Sequence, residues 1–194
     1  MQRRALDKLV SLIALTLAVM LIIAASLLTW AHNYVTSEVH NQLAAQQIYF
    51  PAKGSAAIAA PEFTAMDKYA GEQLTTGAQA ETYADHFIAN HLVAIGAGKT
   101  YAQLSAEAQA NPADTKLAAT VDTVFKGETL RGLLLNAYAF GTMGAIAGIA
   151  AVVAFIAAGV MLLLGALGLV HGRRTPQTEE VFVASTPRSP AGVA

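Results

Sequence analysis

The chain contains no cysteine. Disulfides, thiolate metal ligands and thiol redox chemistry are therefore excluded, and any exported part must hold together by helix packing alone. Charge is the second scarcity. Asp, Glu, Lys and Arg make up 13% of 194 residues, where a soluble domain carries about 25%. The deficit is local: Leu9 to Ala31 carries no charge, and neither does Gly132 to Gly172. Proline is scarce as well, at six residues. What fills the chain is alanine, the strongest helix former, so the expected fold class is all-α.

Each uncharged run exceeds the ~18 apolar residues that mark a membrane span. The expectation is an integral membrane protein with two antiparallel transmembrane helices extending into a small extracytoplasmic helical bundle. Transmembrane helix 1 takes residues 9–31. Residues 132–172 form a long apolar helix containing the second span, with its hydrocarbon core at about 149–170. "LVSLIALTLAVMLIIAASLLTW" is longer than the ~7–15-residue apolar region of a signal peptide, which favours an uncleaved anchor. Splitting the second run into two spans would need a turn near Ala150, and none is written there.

The flanks set the orientation. Arg3, Arg4 and Lys8 precede the first span and Arg173 and Arg174 follow the second, so both ends are expected in the cytoplasm of a multi-pass plasma-membrane protein. Residues 1–8 are the cytoplasmic N-terminus and residues 32–131 the extracytoplasmic helical domain. Residues 173–194, rich in Pro, Ser and Thr, form a disordered cytoplasmic tail with weak phosphorylation candidates at Thr175, Thr186 and Ser189. The outer segment holds six Lys/Arg against ten Asp/Glu. An acidic outer domain without a basic patch argues against nucleic-acid binding.

Punctuation organises that domain. The first helix is expected to continue from Ala5 to Gln47, carried past the membrane by Val35, Val39 and Leu43. Pro51 and Gly54 break it, leaving the apolar triplet Ile48, Tyr49 and Phe50 as a candidate partner surface. Pro61 opens a short helix. Thr76 caps a longer one that ends at Gly96, with Tyr83, Phe87 and Leu92 as a candidate cavity lining. Thr100 caps another, closed by Asn111 and Pro112. The last helix then runs from Ala113 into the second span.

Gly141, Gly144 and Gly148 stand at or just above the outer interface. A small-xxx-small spacing lets a second helix approach closely, and Ser11, Ala14, Ala18 and Ala25 offer a smooth stripe on the first helix. A helix-packing face is the expectation. Its partner is either the same chain or a second copy, and a ligand site or hinge is the weaker alternative. Asn136 is placed to hydrogen-bond across to the first helix.

Chemistry is sparse. "GAGKT" at Gly96 to Thr100 has Val93 where a phosphate loop needs glycine, and it follows a helix rather than a strand. His86 and His91 are five apart, off a common helical face. Glu81 and Asp85 beside His86 are the nearest approach to a metal site and resemble any solvated face. The spans hold none of the ionisable residues that mark ion pathways. No catalytic residue, metal ligand or cofactor is expected.

The segments "WAHNYV", "QLAAQQIYFPAKGS", "DKYAGEQLTTGAQAETYADHFIANHL", "KTYAQLSAEAQA" and "GETLRGLLLNAYAFGTMGAIAGIAA" resemble a group of uncharacterised actinobacterial two-span membrane proteins with a small helical extracytoplasmic domain. The likeness covers roughly Arg3 to Arg174 and excludes the tail. It implies the same topology and brings no catalytic residues. The leading expectation is a non-enzymatic accessory, scaffold or assembly partner of a membrane or cell-envelope component, in contact with membrane lipids and with a protein partner or a second copy. The alternative is a small-molecule or lipid-binding module anchored by two helices.

Overall fold

A computed structural model describes residues 3–174 and Pro176. The tail positions Thr175, Thr186 and Ser189 lie outside the described residues. Among the described residues the chain is all-helical, with no strand. Its helices are α1 (Arg3–Ala45), α2 (Gly77–Thr82), α3 (Ala89–Ile95), α4 (Tyr101–Ala110) and α5 (Thr115–Arg174). Tight 3-10 turns occupy Ala56–Ile58 and Pro61–Tyr69, and a π-helical stretch, Tyr83–Ile88, joins α2 to α3. Two helices, α1 and α5, are long and apolar enough to cross a membrane, each with a mean hydropathy of 2.7 over its most apolar window. The chain divides into two compact units: Met1–Leu28 with Ile149–Ala194, and Thr29–Gly148.

The first unit is a helix pair built on small residues. Ser11, Ala18 and Ala25 are buried on α1, and Ala151, Ala158, Gly165 and Gly172 on α5. Both sets recur every seven residues, the period of helices that coil around one another left-handedly. Ala14 is buried beside the α1 row. A Cβ placed on Gly165 would lie 2.8 Å from Leu15 Cδ2, and one on Gly172 would lie 3.2 Å from the Cβ of Asp7. Gly168 backs directly on Ser11, whose hydroxyl donates to the Asp7 carbonyl at 2.7 Å. The large apolar side chains, Leu12, Leu163 and Leu167 among them, point away from the pair and are well exposed. The seven-residue row continues back along α5 to Gly144, one of the three glycines that the sequence alone brought forward.

The second unit wraps a single core around the remaining parts of α1 and α5. Thr76 and Gln79 form a capping box at α2, Thr100 and Gln103 another at α4, and Asp114 Oδ1 accepts from the Leu117 N–H at 2.9 Å as α5 begins. Met66 and Leu74 are fully buried with Phe50, Leu43, Leu104 and Val124 around them. Each such side chain contributes about 1.5–3 kcal/mol of apolar burial. Gly127 interrupts no helix: α5 passes through it unbroken.

The apolar triplet is largely turned inward. Past Gln47 the chain is extended, and residues 48–50 pair with residues 72–74 through Phe50 N–H to Glu72 O and Leu74 N–H to Ile48 O, both 2.8 Å. Extended backbone alternates its faces. Phe50 is therefore buried, Ile48 packs against the core, and Tyr49 alone remains 57% exposed. Phe50 meets Tyr83 edge-on and Tyr69 at a tilt, each 5.3 Å between ring centres.

Candidate functional site

The unit Thr29–Gly148 contains a groove of about 500 Å³ between α1 and α5. Its floor is apolar, from Val35, Val39 and Leu43 on α1 and Leu134 and Ala137 on α5. Glu38, Gln42, Gln46 and Asn136 supply its polar groups. Gln42 Nε2 donates to Glu38 Oε1 at 2.5 Å, which fixes two of these side chains. Asn136, expected to bond across to α1, makes no side-chain hydrogen bond among the described residues and lines the groove instead. From Tyr34 to Gln46 the groove follows α1 for about 18 Å at ~1.5 Å per residue. Its volume falls in the range of about 300–1,000 Å³ typical of small-molecule sites.

A second cleft of about 380 Å³ is lined by the adjoining face of α1, with His32, Thr36 and His40 at four-residue spacing, and shares Val39 with the groove. Across it stand Thr75 and Thr76, the start of α2, and Tyr138 and Thr142 of α5.

The glycines hold these helices at close range. A Cβ on Gly141 would lie 3.3 Å from Gly77 Cα, so two backbones touch where α2 begins. Gly144 faces Val35, and Gly148 lies under the ring of His32, whose Nδ1 is 2.8 Å from the Gly144 carbonyl oxygen. Since a carbonyl only accepts, Nδ1 carries the proton, and Nε2 is left as the free ring nitrogen. Gly144 and Gly148 thus meet α1, whereas Gly141 meets α2, an element the glycine spacing did not single out.

Tyr83, Phe87 and Leu92 line neither the groove nor the cleft. They belong to filled core: Tyr83 lies 4.8 Å from Phe87 and Phe87 4.4 Å from His91 by ring centres, and Leu92 is 7% exposed. This aromatic row, begun on the π-helical stretch, meets Phe50 edge-on through Tyr83 and Phe63 at a tilt through Phe87. Burial pushes the Tyr83 phenol above its ordinary pKa. Arg131 donates to Asp85 Oδ1 at 2.7 Å, tying α5 to the π-helical stretch. That hydrogen bond, against some desolvation and with added attraction from Asp85 and Glu128, raises the guanidinium pKa further. Asp85 is thus an ion-pair partner, and among the described residues no group of three His, Asp or Glu side chains is placed to hold a metal.

The groove was missed in the sequence although a signal was present. The uncharged run that starts at Gly132 is longer than a bilayer requires, and its surplus, Leu133 to Phe140, is the α5 wall of the groove. The chain matches no protein-family model, no curated protein and no solved structure.

Proposed function

We propose that the chain is a non-enzymatic integral membrane protein whose two spans run antiparallel, with both termini cytoplasmic and residues 29–148 outside the cytoplasm. The groove between α1 and α5 then holds the acyl chain of a lipid or lipid-like ligand. Support for the topology comes from the basic flanks and from the α5 contacts with α1, where Gly165, Gly168 and Gly172 meet Leu15, Ser11 and Asp7 in reversed order. Support for a membrane setting comes from the two apolar helices, whose outward leucines have no protein against them.

The observation that carries the ligand reading is the groove itself: an apolar trough as long as an acyl chain, with an amide and carboxylate rim to fix a polar end. The triplet that would have favoured a protein partner is largely buried, which turns the balance away from an assembly role. That role remains the second reading because Leu133 and Phe140, at the groove's mouth, are 62% and 55% exposed. A partner's apolar side chains would cover them equally well.

A photo-crosslinkable fatty acid incorporated into nanodiscs tests the two. Acyl binding puts label on peptides from residues 34–46 and 130–140, and Ala137→Phe, which fills the groove, removes that label while the labelling of residues 9–28 persists. Label confined to residues 9–28 and 149–170 in the parent chain refutes the acyl reading. Label on a co-purified protein at Leu133 or Phe140 moves the function to assembly.

A further inference from the structure

The cleft lined by His32, Thr36 and His40 differs from the rest of its unit in what its walls offer. No Asp, Glu, Lys or Arg lines it, although the segment from His32 to Arg131 carries sixteen such residues, ten of them acidic. Its polar groups are neutral hydroxyls and imidazoles. Thr75 turns its hydroxyl hydrogen toward Gln79 Oε1 at 3.3 Å, which leaves its oxygen free to accept, whereas Thr76 is engaged in the capping box, donating to Gln79 Oε1 at 3.2 Å and accepting from the Gln79 N–H at 3.3 Å. His32 has Nδ1 committed to the Gly144 carbonyl. Thr36, His40, Tyr138 and Thr142 make no side-chain hydrogen bond among the described residues, so their full capacity to donate and accept is unspent.

The chemistry of a fitting ligand follows. A phosphate or carboxylate calls for Arg or Lys, and an ammonium group calls for a carboxylate; the walls hold neither. Val39, Ala78 and Ala145 make much of the wall apolar, which suits the C–H faces of a sugar ring, but a ligand with apolar groups alone would leave the hydroxyls and imidazoles unpaired at a cost for each. A neutral polyol presents alternating donors and acceptors and needs no counter-charge, and Tyr138 adds an aromatic face beside the hydroxyls. We infer that this cleft binds a neutral sugar, either as the headgroup of a glycolipid or as a free glycoside. The α1 wall begins at His32, directly after the uncharged run ends at Ala31, where a lipid headgroup would present itself. The inference goes beyond the acyl groove and stands on different polar residues.

The test uses the full chain in phosphatidylcholine nanodiscs, with bound lipid read by native mass spectrometry. Glucosyl diacylglycerol is expected to be retained at least tenfold over phosphatidylglycerol. Thr36→Val with Thr142→Val removes two exposed hydroxyls without changing side-chain volume, and it is expected to abolish that preference. Thr142→Ser, which keeps its hydroxyl, is expected to retain it. Displacement by methyl glucoside identifies the sugar alone as sufficient; retention of the glycolipid without such displacement identifies a membrane-borne sugar. A groove-blocking Ala137→Phe leaves methyl glucoside binding unchanged, which separates this site from the acyl groove. Equal retention of phosphatidylglycerol, or an unaltered preference in a double valine variant that melts like the parent, overturns the inference.

Discussion

The ring of His32 lies over Gly148, and a Cβ on that glycine would stand 2.9 Å from His32 Nδ1. The ring is held there by the Gly144 carbonyl one turn earlier on α5, so it has little freedom to retreat. Glycine is thus required at 148 for space, with no demand on its backbone angles. Gly148→Ala is expected to destabilise by about 1–3 kcal/mol through overpacking. Gly132, also within α5, has nothing within 4 Å of its Cβ position. Gly132→Ala is expected to stabilise by about 0.5–1 kcal/mol, the helix-propensity gain alone. Thermal melts of the two variants in the same detergent should move in opposite directions; shifts of the same sign would show that His32 yields.

The absence of cysteine makes the order of contacts between α1 and α5 directly measurable. A Cβ on Gly168 would lie 3.5 Å from the Cβ of Ser11, within the ~3.5–4.5 Å separation that a disulfide spans. A chain carrying Ser11→Cys and Gly168→Cys is expected to oxidise to an intramolecular disulfide, detected as a mobility shift lost on reduction. Ser11→Cys with Gly159→Cys should stay reduced, because nine residues of helix separate Gly159 from that level. Oxidation of the second pair, or dimer formation by the first, would refute the reversed contact order.

Much of this fold was legible because local rules acted without competition. Thr76 and Thr100, each followed three residues later by glutamine, marked two helix starts, and uncharged runs with few prolines marked the long helices. What remained hidden depended on tertiary pairing. The sequence around Ile48, Tyr49 and Phe50 reads as an exposed patch until residues 72–74 are known to lie alongside and turn Phe50 inward. The groove and the cleft were hidden for the same reason, since each joins α1 to α5 residues about a hundred positions away. The seven-residue row of small side chains on α5 was readable throughout, but the GxxxG spacing at its upper end drew attention from the period beneath it.

Tyr83 predicts how stability responds to alkali. Its folded pKa is raised above the unfolded value of about 10 by burial alone, and its hydroxyl has no hydrogen-bond partner among the described residues. A raised pKa means that its contribution is fully present below the unfolded pKa and is lost as pH climbs through the folded one. Tyr83→Phe is therefore expected to melt like the parent at pH 8 and to lose less stability between pH 10 and 11. Parallel melting curves for the two proteins across that interval would show that Tyr83 ionises as freely when folded as when unfolded.

The link between α3 and α4 carries a correctable strain. Gly96 ends α3 at φ −80°, and its missing Cβ matters for space, since one would stand 2.7 Å from the Lys99 carbonyl oxygen. The left-handed turn falls on the next two residues, Ala97 at φ 50° and Gly98 at φ 78°. An L-residue with a Cβ gives up roughly 1–2 kcal/mol in that region, while glycine enters it freely but loses more chain entropy on folding. The first effect exceeds the second, so Ala97→Gly is expected to stabilise by about 0.5–1 kcal/mol. At Gly98 the same reasoning reverses the sign: Gly98→Ala puts a second Cβ into left-handed backbone and should destabilise by about 1 kcal/mol even though no atom lies within 4 Å of it. Denaturant midpoints of the two variants test the pair together. Loss of stability in Ala97→Gly would mean that the turn relaxes in solution to a geometry alanine prefers.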